Sequence, residues 1–371
     1  MKAKYIEDME QITNDNSPGP LIKTISLSGL NTCDHADSFL QSSLWGRFKS
    51  RFGWEAMAFS VEWAQGGLKP LLALVRRIAP GFSMAYIPWG PELPAGFPDD
   101  SRLQVKAAEE AAVRLRALLP STVAFIRFDI PHSSFLISHS PPSPFKKAAA
   151  DIQAPDTVIV DLTPPPETIL AAMKPKWRYN IKLAEKHEVT VHRHTQLPDP
   201  QSPLLAFYQL LVETATRDGI AIHNLAYYQA LFEECQQEES AVMPVRLYLY
   251  TAGHEGDVLA AIVALFRGTQ ATYLYGASAN FKRNLMAPYA LQWKAMLDAK
   301  EFGCTQYDLF GIPPDENPHH PMHGLYRFKT GFGGHILHRG GSWDYPCKPL
   351  WYAVFCAAER LRKKIRDMQK K

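Results

Sequence analysis

Apolar and polar positions change period several times along this chain, and the changes mark its elements. Apolar-rich runs at 55–62, 71–77, 82–87 and 122–129 read as strands. Among them lies one stretch at helical spacing, from Ser101 through Ala107, Ala111 and Leu115 to Pro120. Together these predict an α/β unit. Prolines at 131, 141, 142, 144 and 155 then interrupt any period, and they place a linker at about 131–152. Beyond it, Thr157-Val-Ile-Val-Asp-Leu predicts a short strand. Helices are expected at 167–187, 202–216 and 225–238, and strands at 244–251, 257–267 and 270–276.

The stretch Thr272 to Ile312 is the most regular. A strand leads to a helix that opens at Pro288 and stops at Gly303, and a strand at 305–310 follows. Proline in the first turn and glycine just past the last are where each residue costs least. Tyr289, Trp293, Met296 and Leu297 share one face of that helix, so it should pack on a sheet as the crossover of a βαβ unit. Tyr273 and Tyr275 alternate along the preceding strand and are expected on one face.

A length of 371 residues favours two domains, and 46% apolar with 21% charged residues suits a globular chain with a sizeable core. Five scattered cysteines without a CxxC pair indicate neither a disulfide framework nor a zinc knuckle. Met1 to Asn16 has no apolar stretch, so no signal peptide is expected there, and no run is long enough for a membrane span. A cytoplasmic protein is the expectation.

The net charge of +3 is too small for a whole-molecule basic field, so a polyanionic partner would have to meet a local cluster. Two clusters exist. Residues 173–193 hold six Lys or Arg against two acids, with Lys174, Arg178 and Lys182 recurring every four residues as one stripe. Residues 359–371 hold seven against two. Either is ordinarily a solvated helix face. The first also suits a phosphate backbone, and the second suits tRNA or an anionic membrane surface. His319, His320 and His323 lack metal-ligand spacing, and no GxSxG, P-loop or dinucleotide fingerprint occurs, so no metal and no cofactor are expected.

Several ordered motifs carry more information than any period. They are Phe39-Leu-Gln-Ser-Ser-Leu-Trp-Gly-Arg-Phe-Lys49, Met173-Lys-Pro-Lys-Trp-Arg-Tyr-Asn-Ile-Lys-Leu-Ala184, Thr272-Tyr-Leu-Tyr-Gly-Ala-Ser278 with Met286-Ala-Pro-Tyr289, Tyr307-Asp-Leu-Phe-Gly-Ile312, and Gly324-Leu-Tyr-Arg-Phe-Lys-Thr-Gly-Phe-Gly-Gly334. With them the chain resembles the FemABX family, the peptidyltransferases that build peptidoglycan cross-bridges from aminoacyl-tRNA. The resemblance implies a mixed α/β fold of two N-acetyltransferase-like (GNAT-type) subdomains packed side by side. The boundaries expected are 1–147, 148–330, and a C-terminal segment 331–371 returning to the first subdomain. The order of meander and crossover also suits that fold.

The resemblance also assigns residues. Lys329 would stabilise the tetrahedral oxyanion as the catalytic group and, with Phe328, mark the aminoacyl-tRNA end of the site; Lys174, Arg178 and Lys182 are the expected tRNA-contacting stripe. Lys49, Tyr86, Arg217 and Tyr275 would bind the peptidoglycan precursor. Each has a plainer role open to it. Lys329 could snorkel between core aromatics in a glycine-rich segment, Lys49 could be solvated, Arg217 could pair with Asp218, and the tyrosines could simply pack. Two departures from the family pattern are Ile220, where an aromatic is usual, and Trp89, where a basic residue is usual. The expected activity is transfer of an amino acid from aminoacyl-tRNA to the side-chain amine of a stem-peptide diamino acid, in the cytoplasm, with peripheral contact at the inner face of the membrane. Two alternatives stay open: an acyl-CoA-dependent N-acyltransferase, and a silent protein that binds tRNA or a cell-wall precursor.

Overall fold

The structure, a computed structural model, describes residues 19–131, 144–195, 203–237 and 242–369. Most of the expected linker, at 132–143, lies outside them. The first half contains β1 (Ile22–Ser28), α1 (Ser43–Ser50), β2 (Glu55–Trp63), β3 (Leu68–Ala79), β4 (Phe82–Ile87), α2 (Ser101–Leu118), β5 (Val123–Ile130) and β6 (Lys146–Lys147). Next come β7 (Asp156–Asp161), α3 (Pro166–Ala172), α4 (Pro175–Lys186), β8 (Thr190–His194), α5 (Pro203–Asp218), α6 (Leu225–Gln236), β9 (Val245–His254), β10 (Asp257–Arg267) and β11 (Gln270–Ser278). The chain closes with α7 (Ala287–Phe302), β12 (Gln306–Asp308), α8 (His323–Thr330), β13 (His335–His338), β14 (Gly341–Pro346) and α9 (Pro349–Gln369).

Two seven-stranded sheets result, in the orders β1-β2-β3-β4-β5-β14-β6 and β13-β7-β12-β11-β10-β9-β8. Both follow one plan. A four-stranded antiparallel meander ends in a strand that crosses over, through α2 in one half and α7 in the other, to a parallel neighbour. These are two N-acetyltransferase-type subdomains lying side by side. The segment 331–371 divides between them: β13 pairs with β7 in the second sheet, whereas β14 pairs with β5 in the first.

Local sequence explains the crossovers. Asp100 caps α2 by accepting the Arg102 N–H at 2.8 Å, and Ala107, Ala108, Ala111, Ala112 and Leu115 form its buried stripe. Small residues there let the helix axis approach the sheet closely. Pro288 opens α7, and Gly303, at φ 101, ends it in the left-handed conformation that glycine adopts without strain. One apolar cluster runs through both halves, joining Phe39, Trp45 and Phe48 to Phe207, Tyr228 and Leu231. An interface that is part of a core resists independent motion of the subdomains.

Three expectations need correction. The helix at 167–187 is two helices, because Met173 and Lys174 are extended before Pro175 and the Lys174 N–H bonds to the Gly331 carbonyl at 2.9 Å. The ring of a proline excludes the helical region for the residue before it. Tyr273 and Tyr275 do not share a face. The β10–β11 register skips Leu274, and this bulge sends Tyr273 into the cluster under α7 and Tyr275 into the cluster under α5 and α6. The segment Gly324 to Gly334, whose glycines would let the backbone approach a ligand closely, begins as helix α8, and three of those glycines approach protein instead. A Cβ at Gly331 would lie 2.1 Å from the Trp177 ring, one at Gly333 2.6 Å from the Ala172 carbonyl oxygen, and one at Gly334 2.4 Å from that of Ile159.

Candidate functional site

The parallel pair β11 and β12 is joined over only three residue pairs, ending at Thr272 and Asp308. Beyond that point β11 runs on to Ser278, while the other chain turns away through Phe310 and Gly311, at φ 54 and 22. The strands splay, and the side chain of Lys329 from α8 fills the gap. Its Nζ donates to the Phe310 carbonyl at 2.5 Å and the Gly311 carbonyl at 3.0 Å, and lies 5.0 Å from the centroid of the Tyr273 ring. An ammonium has three donors, so one N–H remains after the two carbonyls are served. Burial lowers the pKa of Lys329 to about 7, with Asp308 opposing the shift.

Lys329 borders a cavity of about 890 Å³, enclosed by β10, β11, the end of α5, the start of α7, and α8. Of the other sequence-predicted residues, Arg217, Tyr275 and Phe328 line the same cavity. Arg217 pairs with Asp218 at 2.8 Å, and its Nη1 donates to Ser278 O at 3.1 Å and Asn280 Oδ1 at 2.8 Å. The pairing with Asp218 therefore coexists with a place at the cavity. Phe328 packs edge-on against Phe332 and Tyr289, at 5.1 and 5.3 Å. Lys329 does not sit between Phe328 and Phe332, since the ring it faces is Tyr273.

Lys49 lies outside the cavity lining but is connected to it. Its Nζ is 5.5, 5.9 and 5.4 Å from the ring centroids of Trp45, Phe48 and Tyr227, with a long 3.5 Å contact to the Tyr227 hydroxyl. Burial, reinforced by Arg76, lowers its pKa to about 8. The Tyr227 ring stacks on His223 at 3.7 Å, and His223 lines the cavity. Tyr275 is hydrogen-bonded to Tyr227, so a cavity hydroxyl and the Lys49 nest share one tyrosine.

The remaining candidates stand elsewhere. Tyr86 is buried in the first sheet, and its hydroxyl donates to Asp129, which also accepts from Ser342 and from the Gln153 N–H at 3.1 Å. Burial lifts the Asp129 pKa to about 6. Lys174, just before α4, and Lys182 on it are exposed. Between them, Arg178 donates to the Ala171 and Met173 carbonyls at 2.8 and 2.6 Å, closing the break between α3 and α4. One member of the stripe is thus spent on the fold. In the C-terminal basic run Arg360 and Arg362 are exposed, and the side chains from 363 onward lie outside the described residues.

Asp308 lies in the Tyr307–Ile312 motif, yet nothing in the sequence assigns it a role. Its fully buried carboxylate accepts from Thr157, from the Phe310 N–H at 2.7 Å, and from Gln270 and Arg339 at 3.2 Å each. These bonds fold the turn that aims the Phe310 and Gly311 carbonyls at Lys329. Across the subdomain boundary Trp89 lies against Phe310 at 5.7 Å and under the Arg339 guanidinium at 4.1 Å. An acid at a strand end followed by Phe-Gly was the available signal. His223 and Gln292 were also missed. The Gln292 carbonyl accepts from Tyr307 at 2.9 Å, and the Tyr273 hydroxyl lies 1.9 Å from where a Cβ on Gly276 would be.

A directed ammonium at a strand splay, beside a cavity with tyrosine hydroxyls, can stabilise negative charge developing at one defined point. Comparison with known proteins agrees with the architecture. Stretches of 110 residues are 34% identical to the Lipid II:glycine glycyltransferase of Staphylococcus epidermidis and 33% identical to that of Staphylococcus aureus, in each case 29% of this chain. The match spans 26% of the length of those curated relatives. The crystal structure of FemX superposes with a TM-score of 0.71 at 18% identity, over 90% of this chain and 99% of FemX, which is a likeness of fold. The FemAB family matches residues 143–249 and 245–360, more than half of the sequence, and on that ground the chain belongs to the FemAB family.

Proposed function

We propose that this protein transfers an amino acid from aminoacyl-tRNA to the side-chain amine of the diamino acid in a peptidoglycan precursor. The observation that carries the reading is the Lys329 ammonium, anchored by two carbonyls beside the cavity. The relatives named Lipid II:glycine glycyltransferase support the acceptor class and make glycine the first donor to test.

The neutral acceptor amine attacks the ester carbonyl carbon, a C–N bond forms, and the carbonyl electrons collect on oxygen. The remaining N–H of Lys329 meets that oxyanion. Collapse expels the ribose oxygen, which takes up the proton that the amine loses. The ester is already activated, so proximity and charge stabilisation supply most of the acceleration. In this scheme Arg217, Tyr275 and Lys49 hold the acceptor, and Phe328 faces the donor end. Lys174 and Lys182, beside the partly committed Arg178, receive tRNA phosphates.

The test offers purified protein radiolabelled aminoacyl-tRNA pools with either the lipid-linked or the nucleotide-linked precursor. Label should move to one acceptor as an acid-stable amide. No transfer from any aminoacyl-tRNA, with turnover of acyl-CoA instead, overturns the reading; so does binding of both substrates without turnover.

A further inference from the structure

Among its described side chains, helix α9 docks by one side, where Trp351 also meets Phe82. Tyr352 donates to Asp344 at 3.1 Å and its ring meets Phe125, Phe355 packs on Phe125 at 4.7 Å, and Glu359 turns toward Arg127 at 3.9 Å. Leu350, Val354 and Leu361 are spaced i, i+4 and i+11, which puts them in one row roughly opposite Tyr352 and Glu359. That row faces solvent, with 83%, 59% and 59% of each residue exposed. Isolated exposed leucines are ordinary, but a row along one helix face is not.

Charge indicates what the row fits. Arg360 and Arg362 are both exposed and flank it at about 100° to either side, by the turn per residue of an α-helix. The acid of that turn, Glu359, is on the docked side. Residues 359–371 carry seven bases against two acids. An apolar crest between basic flanks is the pattern of a helix lying in the plane of a lipid interface. An RNA backbone would use the bases but leave the crest in water, and a second copy of the same helix would bring like charges together.

We infer that α9 docks this protein on an anionic lipid bilayer, with Leu350, Val354 and Leu361 entering the headgroup boundary and Arg360 and Arg362 meeting the headgroups. The face is separate from the cavity bordered by Lys329, and the inference does not depend on the acyl-transfer reading.

The test is co-sedimentation of the full chain with vesicles of phosphatidylcholine alone or with a third phosphatidylglycerol, and with tRNA in a parallel filter-binding arm. Wild type should sediment only with the anionic vesicles. The variant L350S/V354S/L361S, unchanged in charge, should bind them at least about tenfold more weakly, and R360Q/R362Q should lose about thirtyfold, which is about 1 kcal/mol per basic group. Circular dichroism melts matching wild type would exclude unfolding, and single L350S is the fallback if the triple variant melts early. The inference is overturned if wild type ignores anionic vesicles or if the serine variants bind them as wild type does. It is also overturned if R360Q/R362Q weakens tRNA binding and leaves vesicle binding intact.

Discussion

Two lysines, the half-buried Lys49 and the buried Lys329, one in each subdomain, are held by opposite means. Lys49 lies among three aromatic rings, and its nearest polar neighbour is a tyrosine hydroxyl at 3.5 Å. Lys329 has one ring and two carbonyl oxygens at 2.5 and 3.0 Å. Ring faces attract a cation without consuming its N–H donors or fixing their direction. Carbonyls do both. Lys49 therefore keeps a mobile charge suited to a diffuse anion such as a phosphate, whereas Lys329 presents one aimed donor suited to an oxyanion at a fixed point.

The strongest way to break this comparison is to remove the aimed charge. Lys329→Met should lower kcat by about 10² to 10³, the usual loss of one oxyanion donor, with KM little changed. Burial sets the Lys329 pKa at about 7, so the active ammonium is lost as pH rises through that value. In wild type kcat/KM should have a descending limb near pH 7 that is missing from the residual activity of the variant. Steady-state rates between pH 5.5 and 9 decide it, and a limb that persists in Lys329→Met would assign the titration to another group.

Removing the diffuse charge should act differently. Lys49→Met keeps the side chain among its rings, so the fold should survive and kcat should fall less than about threefold. The KM for the precursor should rise about tenfold, since uniform binding is what disappears. A kcat loss as large as that of Lys329→Met would show that the two lysines act in one step and dissolve the distinction.

Part of this contrast was readable in sequence, and the limits are physical. Strands β2, β4, β10 and β11 and helix α7 follow from period and from Pro288 and Gly303, which act locally. Helix α8 did not, because glycines at 324, 331, 333 and 334 mask its period, whereas three of them are there to admit Trp177, Ala172 and Ile159. The Leu274 bulge breaks a two-residue period that looks intact on paper. The family motifs gave Lys329, Phe328, Tyr275 and Arg217, which fall around one cavity. Asp308 could not be assigned a role, since its partners Thr157, Gln270 and Arg339 come from segments far apart in the chain.

Tyr86 sharpens the comparison from outside, because it belongs to neither lysine nest. Tyr86→Phe removes one donor from buried Asp129 and leaves Ser342 and the Gln153 N–H in place. Loss of one buried bond to a charged acceptor should cost about 1–3 kcal/mol at pH 8, where Asp129 is ionised. The folded-state pKa of Asp129 is raised to about 6, so the folded protein binds its proton before the unfolded chain does, and stability contributed by this group falls as pH rises from about 4 to 6. The tyrosine bond favours the ionised form and opposes that shift. Without it the carboxyl titrates higher still, so the penalty of the variant should be smaller at pH 5 than at pH 8. Urea melts at the two pH values measure this directly, and the KM for the precursor should not move. An equal penalty at both would mean that Asp129 keeps one protonation state across that range, and a raised KM would place Tyr86 at the substrate after all.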